Sequence, residues 1–403
     1  MKTKILFLFI AGILSFFSCQ KEDIESLEND LNRVEKSVLD AKANLNVDAT
    51  GTIVTEVIHS PSLEGNLLGD PADRMVNVYL PKSYFIHPDK KFPVIYFLHG
   101  TPAWGNMLMA PEPFAIFEQM ANLAAPVDFP EEGFLEWVNN LVDNEGMKEA
   151  IIVMPDAQTL FGPPLYLNSA VQGNQEDYIV NDLVSYIDSH YRTISHFNWR
   201  AITGHCAGAY GALNIAMRHP KVFRYVGALS PSHFPEPTVL TIANFMPVED
   251  EIWAAMGAPS GPLPYDPYAP FKFANNAAYA LAQAWLPNPD NPPYFCDLPF
   301  SYIDGQPVID PELMAKWDAQ NLIALAQKNR IGLKQLKIVY FDCGIYDDLE
   351  MYEPNMILDN VLTEMNVKHQ FETFEGTHIS NLYDRLGKIW VELSNGFPDD
   401  DYE

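Results

Sequence analysis

The chain has 403 residues, 48% of them hydrophobic and 19% charged, a composition typical of a globular protein with a sizeable core and one that excludes a disordered chain. Its 53 acidic residues outnumber its 25 Lys and Arg residues, so the formal net charge is −28. Because that charge repels phosphate backbones, we expect no nucleic-acid partner.

The N-terminus has the pattern of a bacterial lipoprotein signal. Residues 5–17 form an apolar run of signal-peptide length, and Cys19 follows after a small residue. We predict that residues 1–18 are a signal peptide and that Cys19 is lipidated; the alternative is an ordinary secretory peptide with a chance cysteine. Residues 20–23, Gln-Lys-Glu-Asp, resemble the signal that sends Bacteroidetes-type lipoproteins to the outer surface. We therefore expect an outer-membrane lipoprotein that faces the cell exterior, with the periplasmic face as the alternative.

Residues 24–45 carry a heptad pattern of apolar residues. The pattern steps alternately by three and four through Ile24, Leu27, Leu31, Val34, Val38, Ala41 and Leu45. It predicts that residues 19–50 are a lipidated segment with a helical stalk that self-associates. An amphipathic helix packed on the following domain is an equal alternative.

From residue 51 onward, short β-branched runs alternate with helical stretches, which predicts an α/β fold with a mainly parallel sheet. The predicted strands are residues 52–58, 75–80, 93–98, 150–154, 200–203, 225–229, 336–341 and 370–374. The predicted helices are residues 176–191, 209–218, 351–365 and 382–393. Residues 102–149 and 233–335 are too long for simple connections, and we expect them to be lid-like insertions above the sheet. The domain spans residues 51–397, and residues 398–403 form an acidic tail.

The strongest motif is a cysteine between two glycines, at the junction of a predicted strand and a predicted helix. It reads Gly204-His205-Cys206-Ala207-Gly208. This is the nucleophile-elbow pattern, in which small neighbours permit a strained turn and the helix N-terminus favours an ionised nucleophile. Cys206 is therefore the predicted nucleophile, at a position where serine is usual.

Residues 204–213 and their surroundings resemble the esterase D family of α/β-hydrolases, which includes S-formylglutathione hydrolases, feruloyl and acetyl-xylan esterases and mycolyltransferases. The resemblance covers roughly residues 75–386 without the two insertions. It implies the α/β-hydrolase fold, with helices on both faces of the sheet, and ester hydrolysis. It also implies that residues 97–100 end the oxyanion strand, so that the backbone N–H groups of Thr101 and Ala207 hold the oxyanion.

A hydrolase elbow needs an acid and a histidine later in the chain. After the strand predicted at residues 336–341, the family pattern Gly-x-x-Asp implies Asp347 as the acid, with Asp348 as its competitor and Asp342 too early in the turn. His378 follows the last predicted strand in a Gly-containing loop. The predicted triad is therefore Cys206, His378 and Asp347, comparable to the cysteine triad of dienelactone hydrolases on this fold.

These residues predict a carboxylic-ester hydrolase that works through an acyl-enzyme on a small-molecule or polysaccharide ester, such as an acylated carbohydrate. One alternative is a catalytically weak or inactive lipoprotein that binds a surface glycan, and another is a serine esterase in which Cys206 replaces the serine. The aromatic residues of the two insertions suit sugar rings or phenolic acids, although we expect most of them to form the insertions' own core.

The remaining cysteines and the lack of ligand-binding motifs allow predictions about disulfides, metals and cofactors. Cys296 and Cys343 either pair as a disulfide or are small buried hydrophobic residues. The sequence contains no His-x-x-x-His or Cys-x-x-Cys spacing and no Gly-rich phosphate loop. We therefore expect no metal and no cofactor.

Overall fold

A computed structural model describes residues 50–100, 107–109, 127–162, 165–266 and 269–399. The predicted signal peptide, the lipidation site Cys19, the stalk and most of the acidic tail lie outside these residues. The chain divides into two compact units: among the described residues, Thr50 and Lys82–Lys90 belong to one, and residues 51–81 and 91–399 belong to the other. The first unit contains the short helix α1 (Ser83–Ile86).

The second unit alternates strands with helices. Its strands are β1 (Thr52–His59), β2 (Asp73–Leu80), β3 (Val94–Leu98), β4 (Ile151–Pro155), β5 (Asn168–Ser169), β6 (Gly173–Asn174), β7 (Arg200–His205), β8 (Tyr225–Leu229), β9 (Phe300–Ile303), β10 (Gln306–Ile309), β11 (Ile338–Gly344) and β12 (Gln370–Phe374). Its helices are α2 (Phe134–Asp143), α3 (Gln175–Asp177), α4 (Val184–His190), α5 (Ala207–Arg218), α6 (Glu236–Ala254), α7 (Phe273–Trp285), α8 (Pro311–Asp318), α9 (Leu322–Lys328), α10 (Arg330–Leu333), α11 (Tyr352–Glu364) and α12 (Leu382–Gly396). A π-helical stretch, Tyr178–Leu183, joins α3 to α4.

The central sheet has the strand order β1-β2-β4-β3-β7-β8-β11-β12. Strand β2 runs antiparallel to both β1 and β4, and the other neighbouring pairs are parallel. The predicted α/β fold with a mainly parallel sheet is therefore confirmed. Strands β3, β4, β7 and β8 are buried along their whole length, which is why they read as continuous apolar runs.

Helices cover both faces of this sheet. On one face, α2 and α12 enclose a hydrophobic core that includes Ile95 and Phe97 of β3. Since successive strand residues point to opposite faces, the side chains of Val94, Tyr96 and Leu98 face the other way. Helix α5 packs on β7 and β8, and its residues are not part of that core cluster.

The second half of the insertion 102–149 belongs to the core. Helix α2 buries Phe134 and Trp137, whose rings pack against Trp390 of α12 with centroids 6.4 and 5.6 Å apart. An amphipathic helix of this kind is held by its apolar face and is not free to act as a cover. The described residues 127–149 therefore support the sheet instead of forming a lid.

The insertion 233–335 contains α6 to α10 and the hairpin of β9 and β10. Two of its tryptophans, Trp285 and Trp317, are buried and stack edge to face, with ring centroids 4.7 Å apart. Tyr210 of α5 donates a hydrogen bond from its hydroxyl to the carbonyl of Gln320 at 2.7 Å. These aromatic residues form an internal core for the insertion and attach it to the helix that follows the elbow.

The turn between β7 and α5 depends on close backbone contacts. A Cβ atom added at Gly208 would lie 2.0 Å from the carbonyl oxygen of Leu98, and one added at Gly204 would lie 2.4 Å from the backbone of Gly208. Both distances are far inside van der Waals contact. A side chain at either position would clash with the backbone, so both positions require glycine.

We expect Gly208→Ala to lower the free energy of unfolding by about 3 kcal/mol, because the methyl group must displace the main chain of β3. The measurement is equilibrium denaturation in urea. The control is Gly305→Ala, where φ is +77° but nothing lies within 4 Å of the added Cβ atom. Its cost should be about 1 kcal/mol, and equal losses for the two variants would contradict the steric explanation.

Candidate active site

Cys206 lies in the turn between β7 and α5. Its backbone has φ 59° and ψ −122°, a conformation that costs a non-glycine residue free energy and occurs mainly at functional turns. Its N–H donates to the carbonyl of Leu229 at 3.0 Å, and its carbonyl accepts the N–H of Tyr210. The side chain is 7% exposed and lies at the N-terminus of a helix of twelve residues. This end of the helix dipole favours a thiolate.

His378 lies in the loop after β12, at the same edge of the sheet. Its Nδ1 donates a hydrogen bond to Oδ2 of Asp347 at 2.8 Å, and both side chains are buried. Its backbone N–H donates to Oδ1 of Asp348 at 3.2 Å. Its carbonyl accepts hydrogen bonds from Nε2 of His205 at 3.1 Å and from the Ser230 hydroxyl at 3.3 Å. One set of contacts therefore holds the imidazole ring of His378, and a different set holds its backbone.

The three aspartates near β11 have different partners. Asp347 contacts the imidazole, and its Oδ1 accepts the backbone N–H groups of Leu349 at 3.0 Å and Met351 at 3.4 Å. The side-chain Oδ1 of Asp348 accepts the backbone N–H of His378. Asp342 forms a buried ion pair with Arg385. The geometry thus separates three carboxylates that the sequence left in competition.

The ion pair of Asp342 and Arg385 joins several loops beneath the site. Nη2 and Nε of Arg385 donate to the two carboxylate oxygens at 2.7 and 2.9 Å. The same guanidinium donates to the Ser230 hydroxyl at 2.9 Å and to the carbonyl of Ser380 at 3.0 Å. Because a planar guanidinium has fixed donor directions, this one residue sets the relative positions of the loops after β8 and β12.

The electrostatics couple the three predicted catalytic side chains. Burial alone would raise the pKa of the Cys206 thiol, but the positive charge of His378 and the hydroxyl of Ser232 lower it below the ordinary value. Burial opposes protonation of His378, but the charges of Asp347 and Cys206 raise its pKa well above the ordinary value. Burial likewise opposes ionisation of Asp347, yet His378 lowers the pKa of that carboxyl. The arrangement stabilises a thiolate, an imidazolium and a carboxylate together.

Ser232 is a site residue that the sequence prediction missed. Its hydroxyl lies 3.4 Å from Sγ of Cys206, and its side chain is buried. It follows β8, which neighbours the nucleophile strand, so its position after a predicted parallel strand was a usable signal. The hydroxyl supplies a further hydrogen bond to the thiolate.

The predicted oxyanion residues are described in part. Thr101 and its neighbour Pro102 lie outside the described residues. Ala207 begins α5 directly after Cys206, and its backbone N–H is among the groups that lower the pKa of the thiol. A Cβ atom added at Gly100 would lie 2.6 Å from Cβ of Cys206, so the turn after β3 lies directly against the elbow.

The described cysteines are free thiols. Cys206, Cys296 and Cys343 are buried and unpaired with one another. Burial raises the pKa of Cys296 to about 12. Burial and the charge of Asp347 raise the pKa of Cys343, whose thiol donates to Oδ2 of Asp347 at 3.5 Å. Of the three, Cys206 has the environment of a reactive thiol.

The described ranges also bear on metal binding and on membrane insertion. They contain no group of three His, Cys, Asp or Glu side chains arranged to hold a metal ion. No helix within them has the length and apolar character needed to cross a bilayer.

Comparison with known proteins identifies the family. A family model described as an esterase matches residues 71–388. A ferulic acid esterase is 19% identical over 87% of this chain and 100% of its own, with a TM-score of 0.54. An S-formylglutathione hydrolase from Staphylococcus aureus (16% identity, 86% and 99% covered, TM-score 0.48) and a ferulic acid esterase from the anaerobic fungus Anaeromyces mucronatus (17% identity, 87% and 92% covered, TM-score 0.47) are also similar.

At these identities the similarity to solved structures concerns the fold, and it agrees with the α/β-hydrolase architecture. The family match covers most of the chain, including the elbow and the loops of Asp347 and His378. The resemblance predicted from the sequence is therefore confirmed: the chain is a carboxylesterase-type hydrolase of the esterase family.

Proposed function

We propose that the chain hydrolyses carboxylic esters through an acyl-enzyme formed on Cys206, with His378 as acid and base and Asp347 as the residue that orients it. The supporting observation is the buried series of thiol, imidazole and carboxylate, in which the thiol has a lowered pKa. A thiolate is the nucleophilic form of cysteine, so the lowered pKa increases the fraction of the thiol in its reactive form.

In acylation, the thiolate of Cys206 attacks the ester carbonyl carbon. A carbon–sulfur bond forms, and the carbonyl electron pair moves to oxygen, where the N–H of Ala207 stabilises the negative charge. When this intermediate collapses, the carbon–oxygen bond to the alcohol breaks and the imidazolium of His378 gives its proton to the leaving oxygen. The products are the free alcohol and a thioester on Cys206.

In deacylation, neutral His378 takes a proton from water as the water attacks the thioester carbonyl. Collapse of the second intermediate breaks the carbon–sulfur bond and releases the carboxylic acid and the thiolate. Asp347 keeps Nδ1 of the ring protonated, so that Nε2 faces the reaction throughout. The proton taken from water replaces the one lost to the alcohol, so the thiolate and the imidazolium of the free enzyme are restored.

The proposed substrate is an acylated carbohydrate or another small ester. The family match and the ferulic acid esterases among similar structures support this class. We further propose an exported lipoprotein of the outer membrane, attached through lipid on Cys19 and facing the cell exterior. A polysaccharide ester is then accessible without uptake.

The direct test is hydrolysis of p-nitrophenyl acetate by the protein without residues 1–19. We expect turnover by the wild type and a loss of roughly 10⁴-fold or more in Cys206→Ala, since the nucleophile is removed. Cys206→Ser should also lose activity, because the site is tuned to hold a thiolate. A gain of activity with serine would contradict a cysteine nucleophile, and retention on an insoluble glycan without turnover would indicate a binding protein.

The thiol itself should titrate below the ordinary cysteine range. Alkylation of Cys206 by iodoacetamide, followed by mass spectrometry of its peptide, should therefore proceed at a pH where ordinary thiols are protonated. In His378→Ala the lowering interaction is lost and burial dominates, so the midpoint should move above the ordinary value. The same midpoint in both proteins would contradict the ion pair.

Asp347→Asn should lower kcat by roughly 10²- to 10⁴-fold, because the amide no longer stabilises the imidazolium. The matched control is Asp348→Asn, where an amide oxygen still accepts the backbone N–H of His378. That variant should keep kcat within roughly tenfold of the wild type. If the two variants lose activity equally, the assignment of the acid is wrong.

A further inference from the structure

Tyr265 has a buried hydroxyl without a hydrogen-bond partner in the part of the chain that the structure describes. The residue belongs to the insertion 233–335, outside the segments that carry the family motif. Its backbone is hydrogen-bonded to the loop after β4, and because β4 is parallel to β3 and β7, that loop lies at the same edge of the sheet as Cys206. A buried hydroxyl that is left unpaired is unfavourable, so a group that binds there and accepts its hydrogen bond is favoured.

The position of Tyr265 is held by several contacts. Its backbone N–H donates to the carbonyl of Leu160 at 2.8 Å, in the loop after β4. Its ring packs edge to face on Phe271, with centroids 4.7 Å apart. The buried amide of Asn276 donates to the carbonyls of Phe161 at 2.9 Å and Leu263 at 2.7 Å, which joins the insertion to that loop.

The sheet order tells which side of the thiol Tyr265 occupies. Strand β4 lies beyond β3 on one side of β7, whereas β11 and β12, which carry Asp347 and His378, lie on the other. The loop after β4 is joined to the turn after β3, since the N–H of Ala157 donates to Nε2 of His99 at 3.0 Å. The backbone of Tyr265 is therefore attached on the β3 side of the elbow, opposite the histidine.

The histidine side and the β3 side of the thiol face different parts of the bound ester. A leaving alcohol must face His378 to receive its proton, so the carbonyl oxygen faces the β3 turn and the N–H of Ala207. Burial and the negative charges of Asp266 and Cys206 raise the pKa of the Tyr265 phenol well above its ordinary value. The phenol consequently keeps its proton and remains a donor.

We propose that Tyr265 is a further catalytic residue, whose hydroxyl donates a hydrogen bond to the carbonyl oxygen of the bound ester as that oxygen becomes negative. This role rests on the proposed ester hydrolysis at Cys206. It assigns to the insertion a part in transition-state stabilisation, with Ala207 as the neighbouring donor. Because the hydrogen bond is to the carbonyl oxygen, it stabilises the transition state for every ester, whatever its alcohol.

The test is Tyr265→Phe, which removes only the hydroxyl. We expect kcat to fall by roughly 10²- to 10³-fold with little change in KM, equally for p-nitrophenyl acetate and for an acetylated monosaccharide. The pH dependence of Cys206 alkylation by iodoacetamide should remain that of the wild type. The matched control is Tyr294→Phe in the same insertion, which should keep the wild-type kcat.

Three results would overturn the assignment: wild-type kcat in Tyr265→Phe, a loss confined to one of the two substrates, or an altered alkylation midpoint. The second would mean a contact with the alcohol and the third an action through the thiol. Turnover by the wild type is measured first with both esters. Its absence would refute the proposed function itself, whereas the other results refute only the role of Tyr265.

Discussion

The hydrogen bond between Nδ1 of His378 and Oδ2 of Asp347 is the interaction on which the site depends. Both groups are buried, so neither charge is stable alone, and each shifts the pKa of the other toward its ionised form. The imidazolium that results is what lowers the pKa of the Cys206 thiol against the effect of burial. Without the carboxylate, a buried neutral histidine would face a neutral thiol.

That hydrogen bond requires precise loop positions, and polar contacts beneath the site maintain them. Arg385 of α12 binds Asp342 of β11, Ser230 after β8 and the carbonyl of Ser380 after β12. His205 of β7 holds the carbonyl of His378. Four neighbouring strands thus meet at one buried polar network, in which the hydrogen-bonded pair of Arg385 and Asp342 tolerates burial. Substituting a member would move loops as well as remove a charge.

In the elbow, the strained backbone of Cys206 and the packing of α5 against β3 belong to the same turn. Cys206 has a positive φ, and the glycines beside it permit the backbone of α5 to contact β3. The thiol then lies at a helix N-terminus with Ser232 on one side and the N–H of Ala207 on another. The same contacts that form the turn also provide the donors that stabilise a thiolate, so the substitution of sulfur for oxygen occurs in surroundings suited to an anion.

The amino-acid sequence predicted much of the fold and of the candidate site. Runs of β-branched residues predicted the strands to within a few residues, because the central strands are buried on both faces, and the glycine spacing around Cys206 predicted the turn from sterics alone. The sequence also ordered nucleophile, acid and histidine along the chain, but it left Asp347 and Asp348 in competition. Only the tertiary structure gave them different partners, assigned α2 to the core, brought Ser232 to the thiol and joined Tyr265 to the loop after β4. Those contacts join residues far apart in the chain, and no local pattern encodes which strand ends and insertions meet when the sheet closes.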